Sequence, residues 1–128
     1  MLDDSVEDQL AVVRQAIVGL VSRDGPDLTA RQLAVLLISY LDDTPQTVSR
    51  LAAQLNVSMP TVTRALDRLS DFDLVRRKDN PSDGRSILVR RTIVGAKFLS
   101  DLKSMLGTAG AVAGNAPSGS RQEDTIVA

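Results

Sequence analysis

The strongest constraint on the fold is a pair of short, capped helices predicted between Thr47 and Leu69 and joined by a turn of about three residues. Thr47 is a suitable N-cap for the first helix, Val48–Leu55. Ser58 is a suitable N-cap for the second, because its hydroxyl can accept a hydrogen bond from a free backbone N–H in the first turn. Pro60 fits that turn, since the N–H it lacks would have no partner within the helix. Two such helices form the helix-turn-helix pattern.

The second helix, Ser58–Leu69, has an apolar face and a polar face. Val62, Leu66 and Leu69 recur at steps of four and three residues, which places them on one side of the helix. The other side combines short hydrogen-bonding groups with long cations: Thr61, Thr63, Arg64 and Arg68. This face is typical of a DNA-reading helix, and it is also what an ordinary solvated amphipathic helix presents.

A β-hairpin is predicted directly after these two helices. Leu74–Lys78 is apolar and then basic, and it has the pattern of a short strand. Asp79–Gly84 consists of turn-forming residues. Arg85–Arg91 is the returning strand, with Ile87 and Val89 on one face. A hairpin in this position is a wing, so we predict a mainly α winged helix-turn-helix with a small β-hairpin wing.

Helices at both ends carry more apolar surface than a small domain needs. In residues 5–22 a stripe with a seven-residue repeat consists of Val6, Leu10, Val13, Ile17 and Leu20. In residues 92–106, which Thr92 caps, the corresponding positions are Phe98, Leu99, Leu102, Met105 and Leu106. Either the core of the domain or a second copy of the chain must cover them. We expect a second copy, which makes both segments dimerisation helices.

These elements predict one domain followed by a tail. Residues 1–106 form the winged helix-turn-helix domain, within which residues 28–91 are the DNA-binding lobe. From residue 107 to residue 128 the chain is rich in Gly, Ala, Ser, Asn and Pro, which predicts a flexible low-complexity tail.

The net charge of −1 hides a segregation of charge along the chain. Residues 1–49 hold three Arg and eight Asp or Glu, a net charge of −5. Residues 50–91 hold nine Lys or Arg and five Asp, a net charge of +4, and the remainder is neutral. A basic middle segment is typical of a nucleic-acid-binding module with a separate assembly region.

The composition excludes several classes of chemistry. The chain has no Cys and no His, so it has no disulfide, no thiolate metal site and no Ser-His or Cys-His catalysis. Asp42, Asp43, Asp79 and Asp83 are carboxylates in predicted turns, where Asp is common. We therefore expect no enzyme, no cofactor and no metal. The acidic start has no signal-peptide pattern, and no apolar run approaches the roughly 20 residues of a membrane span. We expect a soluble cytoplasmic protein.

Several fragments, in this order and spacing, resemble the MarR family of winged helix-turn-helix regulators. Thr29 and Gln32 have the spacing of a capping box, which predicts the start of a helix there. Leu28–Gln32 resembles the opening of the family's second helix, and Leu51–Arg64 resembles its helix-turn-helix. Asp83-Gly84-Arg85 matches the D-x-R motif of its wing, and Thr92–Gly95 matches the opening of its next helix. The resemblance covers about residues 5–106.

The chain departs from the family pattern at four places. Asn56 and Asp73 stand where Gly is usual, and both residue types tolerate a left-handed backbone. Arg91 stands where Leu is usual, which adds a charge at the base of the wing. The family's second long C-terminal helix is replaced by the segment from Gly107, so the dimer is expected to be reduced or rearranged.

The resemblance implies a transcriptional regulator that acts as a homodimer on double-stranded DNA, with two recognition helices in successive major grooves. It assigns Ser58, Thr61 and Thr63 to phosphates or base edges and Arg64 to a guanine. Arg68 meets phosphate or packs on Asp71, and Arg85 reaches the minor groove or pairs with Asp83. Sequence-independent attraction to DNA is assigned to a basic run, Arg76, Arg77 and Lys78.

Two further points stay open in the sequence. A winged helix that binds an acidic protein partner, without reading DNA, fits the same basic face. A small-molecule effector is common in the resembled family, but Tyr40, Phe72 and Phe98 are the only aromatic residues available to line its site.

Overall fold

The computed structural model describes the backbone of residues 2–114 and the side chains of residues 5–84 and 86–107. The elements in chain order are α1 (Leu2–Ser22), α2 (Ala30–Leu41), α3 (Val48–Leu55), α4 (Met59–Asp71), β1 (Val75–Asn80), β2 (Asp83–Arg91) and α5 (Ile93–Gly114). They divide into two compact units. We call Leu28–Lys97 the winged unit, and Met1–Asp27 with Phe98–Ala128 the terminal unit.

The helices of the winged unit begin at the predicted caps. The side chain of Thr29 accepts a hydrogen bond from the backbone N–H of Gln32, whose own side chain accepts one from the backbone N–H of Thr29. Thr47, Ser58 and Thr92 each accept a hydrogen bond from the backbone N–H three residues further on. The predicted helix starts are confirmed because these side chains satisfy N–H groups that the helices leave free.

Two tight turns use left-handed residues, as predicted for Asn56 and Asp73. Asn56 ends α3 with φ 57° and ψ 47°, and Asp73 lies between α4 and β1 with φ 59°. Asn and Asp are enriched among the non-Gly residues that adopt this conformation. The chain therefore makes both turns of the helix-turn-helix region without glycine.

The wing is an antiparallel hairpin of β1 and β2, as predicted. Its register runs from Val75 opposite Arg91 to Asp79 opposite Ile87, with an irregularity next to Asn80 at the tip. The two strands are therefore paired along their length, from the base of the wing almost to its tip.

A third, one-residue strand widens the wing. Thr47, the residue that caps α3, forms an antiparallel bridge with Leu88 of β2. Beside it, the backbone N–H of Val89 donates a hydrogen bond to the carbonyl of Gln46 at 2.9 Å. The wing is therefore a three-stranded antiparallel sheet, and the third strand was missing from the prediction because a single residue has no periodicity.

The core of the winged unit is aliphatic. It consists of the inward faces of α2, α3 and α4 together with the residues around the wing base: Val35, Leu36, Val48, Leu51, Ala52, Val62, Ala65, Leu66, Leu69, Leu74, Val75 and Val89. The predicted apolar face of α4 is confirmed, since Val62, Leu66 and Leu69 are all fully buried.

In the terminal unit both helices are longer than predicted. α1 begins at Leu2 and not at residue 5, and α5 continues to Gly114, past the predicted end at residue 106. The predicted tail therefore starts too early, and residues 115–128 lie outside the described residues. The extension has a local cause, because Ala109, Ala111 and Ala113 have the highest helix propensity and offset the glycines among them.

Candidate nucleic-acid interface

The first turn of α4 is a compact polar cluster. The hydroxyl of Ser58 accepts a hydrogen bond from the backbone N–H of Thr61 at 3.2 Å, and the two hydroxyls share a hydrogen bond of 2.8 Å. Arg64 donates from Nη2 to the hydroxyl of Thr61 at 3.4 Å. Three of the predicted DNA-binding residues are thus brought together, and their contacts hold the guanidinium of Arg64 over the start of the helix.

The rest of the predicted reading face is also open. Thr63, Arg64 and Arg68 have exposed side chains, and Arg64 lies on the opposite side of α4 from the fully buried Val62 and Leu66. Because the buried side fixes the rotation of the helix, the exposed side is presented in one orientation.

Arg68 has a partner that the sequence analysis did not identify. Its guanidinium lies 4.7 Å from the centre of the Phe72 ring, one turn further along the helix, and no ion pair with Asp71 is present. A cation over an aromatic face is attracted by the ring quadrupole. This contact gives the guanidinium an aromatic partner at the exposed end of α4, and the predicted roles of Arg68 stay predictions.

Two of the three basic residues of β1 are already paired with carboxylates. Arg76 Nε lies 3.6 Å from Asp73 Oδ1, and Arg77 Nη1 lies 2.6 Å from Asp67 Oδ1. Lys78 is exposed and has no ion pair among the described residues. Of the three, Lys78 is therefore the cation most available to a phosphate.

Asp67 makes a contact near the candidate interface that the sequence analysis did not identify. It lies on the exposed side of α4, and its ion pair with Arg77 ties the recognition face to the wing. Asp67 lies in α4 and Arg77 lies in β1, ten positions later. The contact therefore cannot be predicted from helix periodicity, which relates residues three or four positions apart. An exposed ion pair contributes about 0–1 kcal/mol, and its effect is mainly to orient Arg77.

The wing tip is closed by an Asx-turn, in which Asn80 Oδ1 accepts a hydrogen bond from the backbone N–H of Ser82 at 3.0 Å. Arg85 lies in β2, and its side chain is outside the described residues. Both alternatives for Arg85, a minor groove contact and a pair with Asp83, therefore stay predictions.

Arg91 holds the base of the wing against the end of α2. Its Nε donates to the carbonyl of Ser39 at 3.0 Å, and its Nη2 donates to the carbonyl of Asp42 at 2.9 Å. These carbonyls belong to the C-terminal turn of α2, where the helix leaves acceptors free and favours a cation. Arg91, which departs from the family pattern, thus stabilises the contact between the wing and α2.

The hydroxyl of Tyr40 joins three segments of the winged unit. It donates to the carbonyl of Leu74 at 2.6 Å and accepts from the backbone N–H of Thr92 at 2.9 Å. Gly95 packs against the same hydroxyl so closely that an added Cβ would overlap it and the carbonyl of Leu74. The end of α2, the entrance to β1 and the start of α5 are therefore locked together.

The predicted dimerisation residues fall into two groups. Val6, Leu10, Val13 and Ile17 of α1 have exposed fractions of 51%, 58%, 50% and 50%, and Leu20 is half-buried. In α5 the pattern differs: Phe98, Leu99 and Leu102 are buried in the single chain, Met105 is half-buried, and Leu106 is 38% exposed. The first three are therefore already covered within the single chain, and the role of all these residues in dimerisation stays a prediction.

Contacts within the terminal unit explain part of that burial. Arg23 Nη1 lies 3.1 Å from Asp101 Oδ2, and its guanidinium lies 5.0 Å from the centre of the Phe98 ring. An added Cβ on Gly19 would lie 2.8 Å from the sulfur of Met105. The two helices thus approach closely at Gly19, and the exposed apolar stripe of α1 lies elsewhere on its surface.

Two clefts of the winged unit have linings that are about half polar and half apolar. One, of about 500 Å³, is lined by Ser39, Asp43, Pro45 and residues 88–91, and the other, of about 350 Å³, by Asp73, Arg76, Arg91, Thr92 and Ile93. Neither includes an aromatic side chain, so the predicted effector stays a prediction. Within the described ranges no cluster of Asp and Glu could hold a metal ion, and no helix is long and apolar enough to cross a membrane.

The winged unit corresponds to a known family. Residues 28–87 match the model of the MarR family, in agreement with the resemblance seen in the sequence. No curated protein sequence is significantly similar to this chain.

Solved structures share the fold. Overoxidized AbfR bound to DNA is 27% identical with a TM-score of 0.56, over 63% of this chain and 59% of the AbfR chain, so this chain spans less than two thirds of AbfR. RV1404 from Mycobacterium tuberculosis is 21% identical with a TM-score of 0.75, over 98% and 86% of the two chains. A mutant MarR from E. coli complexed with operator DNA is 24% identical with a TM-score of 0.64, over 94% and 86%.

Proposed function

Because residues 28–87 belong to the MarR family of transcriptional regulators, we propose that this chain binds double-stranded DNA sequence-specifically and does so as a homodimer. The observation that carries the proposal is the exposed polar face of α4, centred on Arg64 and opposite a fully buried face. The family comprises regulators and not enzymes, as the lack of His and Cys led us to expect.

In this proposal α4 enters the major groove with its first turn toward the base edges. Arg64 donates two hydrogen bonds to O6 and N7 of a guanine, which its planar guanidinium fits. Lys78 and the residues of the wing tip contact the backbone near the adjacent minor groove. The DNA-bound structure of AbfR, 27% identical over its aligned part, supports this use of the fold.

Dimerisation in this proposal uses the exposed stripe of α1. Val6, Leu10, Val13 and Ile17 repeat every three or four residues and are about half exposed in the single chain. Their burial against a second copy would stabilise a dimer by about 25 cal/mol per Å² of apolar surface removed from water. Leu106 of α5 extends the apolar surface that a second copy would cover.

The test compares duplex affinity of the wild type with two single-charge variants. Arg64→Ala should lose about 10- to 100-fold for a selected site, with little change for random duplex, because a bidentate base contact is lost. The matched control is Arg31→Ala, which removes an exposed charge from the first turn of a different helix, α2. If both variants kept wild-type affinity for the selected site, α4 would not be the reading element.

The alternative function is a winged helix that binds an acidic protein. The salt dependence of duplex affinity distinguishes it from the proposed regulator. Binding through several phosphates makes the logarithm of the association constant fall with the logarithm of salt concentration, by about 0.9 per phosphate contact on duplex DNA. A steep slope and preference for one sequence support the regulator. Weak duplex binding without sequence preference would favour the protein-binding module.

A further inference from the structure

Pro60 gives the first turn of α4 an apolar surface directed outward. Ser58 is the N-cap, so Met59 and Pro60 are the first two residues within the helix. Pro60 is exposed, and Arg64 follows four residues later, which places both on one face of α4. The buried Val62 lies on the other side. The pyrrolidine ring therefore stands beside the guanidinium proposed to read a base.

The polar atoms around Pro60 are engaged with one another. The Ser58 hydroxyl accepts from the backbone N–H of Thr61, and it shares a further hydrogen bond with the Thr61 hydroxyl. The Thr61 hydroxyl also accepts from Arg64. Pro60 itself has no N–H. With these hydrogen bonds intact, the group that this turn can present to DNA beside Arg64 is the saturated ring of Pro60.

Met59 is also exposed, by 49%, but it is placed differently. It precedes the buried Val62 by three residues and the buried Leu66 by seven, so it lies at the edge of the core-facing side of α4. Pro60, and not Met59, is therefore aligned with Arg64.

We propose that Pro60 is a specificity-determining residue that recognises the C5-methyl group of a thymine next to the base read by Arg64. The inference rests on the proposed function. The first residues of a recognition helix meet base edges in the major groove, and the thymine methyl is the apolar feature that this groove displays. The preferred half-site therefore contains a thymine at a fixed step from the base that Arg64 contacts.

Deoxyuridine provides the test, because replacing thymine by uracil removes only the methyl group and keeps the base pair. In a selected duplex, symmetric pairs of thymines are replaced one at a time, and the affinity of the full chain is measured. One pair should cost about fourfold per half-site, the equivalent of exposing one methyl-sized group. The other pairs should bind as the thymine duplex does.

Two variants assign the effect to a residue. Pro60→Ser should bind the thymine and uracil duplexes equally, with about the wild-type affinity for the uracil duplex, which also shows that it folds. Met59→Ala should keep the wild-type preference for thymine.

Three outcomes would overturn the inference. If every uracil substitution were tolerated by a wild type that binds the selected duplex, the methyl contact would be absent although the proposed function stands. If Pro60→Ser kept the preference while Met59→Ala lost it, the assignment to Pro60 would be wrong. If the chain selected no duplex at all, the proposed function would fail and this inference with it.

Discussion

The winged unit and the terminal unit treat their apolar residues in opposite ways. In the winged unit Leu36, Leu51 and Leu66 are fully buried, and the exposed apolar residues, such as Leu41 and Ile93, occur singly or in pairs. In the terminal unit α1 leaves a regular stripe about half exposed, from Val6 to Ile17 and on to Val21. The winged unit closes its own core, whereas the stripe of α1 stays open and is the surface that we propose a second copy covers.

The difference also separates two kinds of constraint. In the winged unit the hydroxyl of Tyr40 and the guanidinium of Arg91 join the end of α2 to the base of the wing and the start of α5. These contacts fix the base of the wing against the end of α2. Among the described residues, no comparable set of polar contacts surrounds the stripe of α1. The helical spacing of its apolar residues alone defines that stripe.

The largest expected effect comes from truncating the core of the winged unit. Leu66→Ala should destabilise the fold by about 4 kcal/mol, because a fully buried leucine is replaced and a cavity remains. The matched control is Leu10→Ala, at a position 58% exposed, which should cost the single chain well under about 1 kcal/mol. Urea unfolding at low protein concentration measures the free energy of unfolding of both variants. Equal losses of stability would contradict the distinction between the two units.

The next effect concerns the junction at Gly95. Gly95→Ala should cost about 3 kcal/mol, because the new Cβ would overlap the hydroxyl of Tyr40 and the backbone carbonyl of Leu74. Gly84→Ala is the control, since its Cβ would meet nothing within 4 Å. Thermal unfolding of the two variants provides the measurement. A Gly95→Ala variant as stable as the wild type would mean that the junction is loosely packed.

A third variant tests the stripe of α1. Ile17→Asp should weaken self-association about 30-fold, or about 2 kcal/mol, because a carboxylate would be buried in an apolar interface. The control, Gln15→Asp, adds the same charge on the other side of the helix. Sedimentation velocity over a range of concentrations reports the change. Equal association of both variants with the wild type would place the dimer interface elsewhere.

The smallest expected effect belongs to Arg91. Arg91→Leu restores the residue usual in the family and should cost about 1 kcal/mol, because two hydrogen bonds to the end of α2 are lost from an exposed side chain. The loss should appear as a lower melting temperature with unchanged self-association. An increase in stability would show that apolar packing at this position outweighs the two hydrogen bonds.

Much of the winged unit could be predicted because its signals are local. Caps at Thr29, Thr47 and Ser58 and the left-handed turns at Asn56 and Asp73 follow from what single side chains do to the adjacent backbone. Such effects act over three or four residues and are visible in any window of that length.

The features that escaped prediction depend on contacts between distant residues. The pair of Asp67 and Arg77 forms across α4 and β1, and the guanidinium of Arg68 lies over the ring of Phe72. Periodicity identified the apolar face that includes Phe98 and Leu102, but it cannot distinguish cover by the same chain from cover by a second copy. The composition after Gly107 suggested a tail, although alternating alanines continue α5.

We propose that the winged unit reads DNA while the terminal unit pairs two copies of the chain. Selection of bound duplexes from a random pool with purified protein tests both parts at once. The expected result is a two-fold symmetric site whose half-sites lie about one helical turn apart, since two recognition helices must enter successive major grooves. Enrichment of a single asymmetric half-site would contradict the pairing, and no enrichment at all would contradict sequence-specific DNA binding.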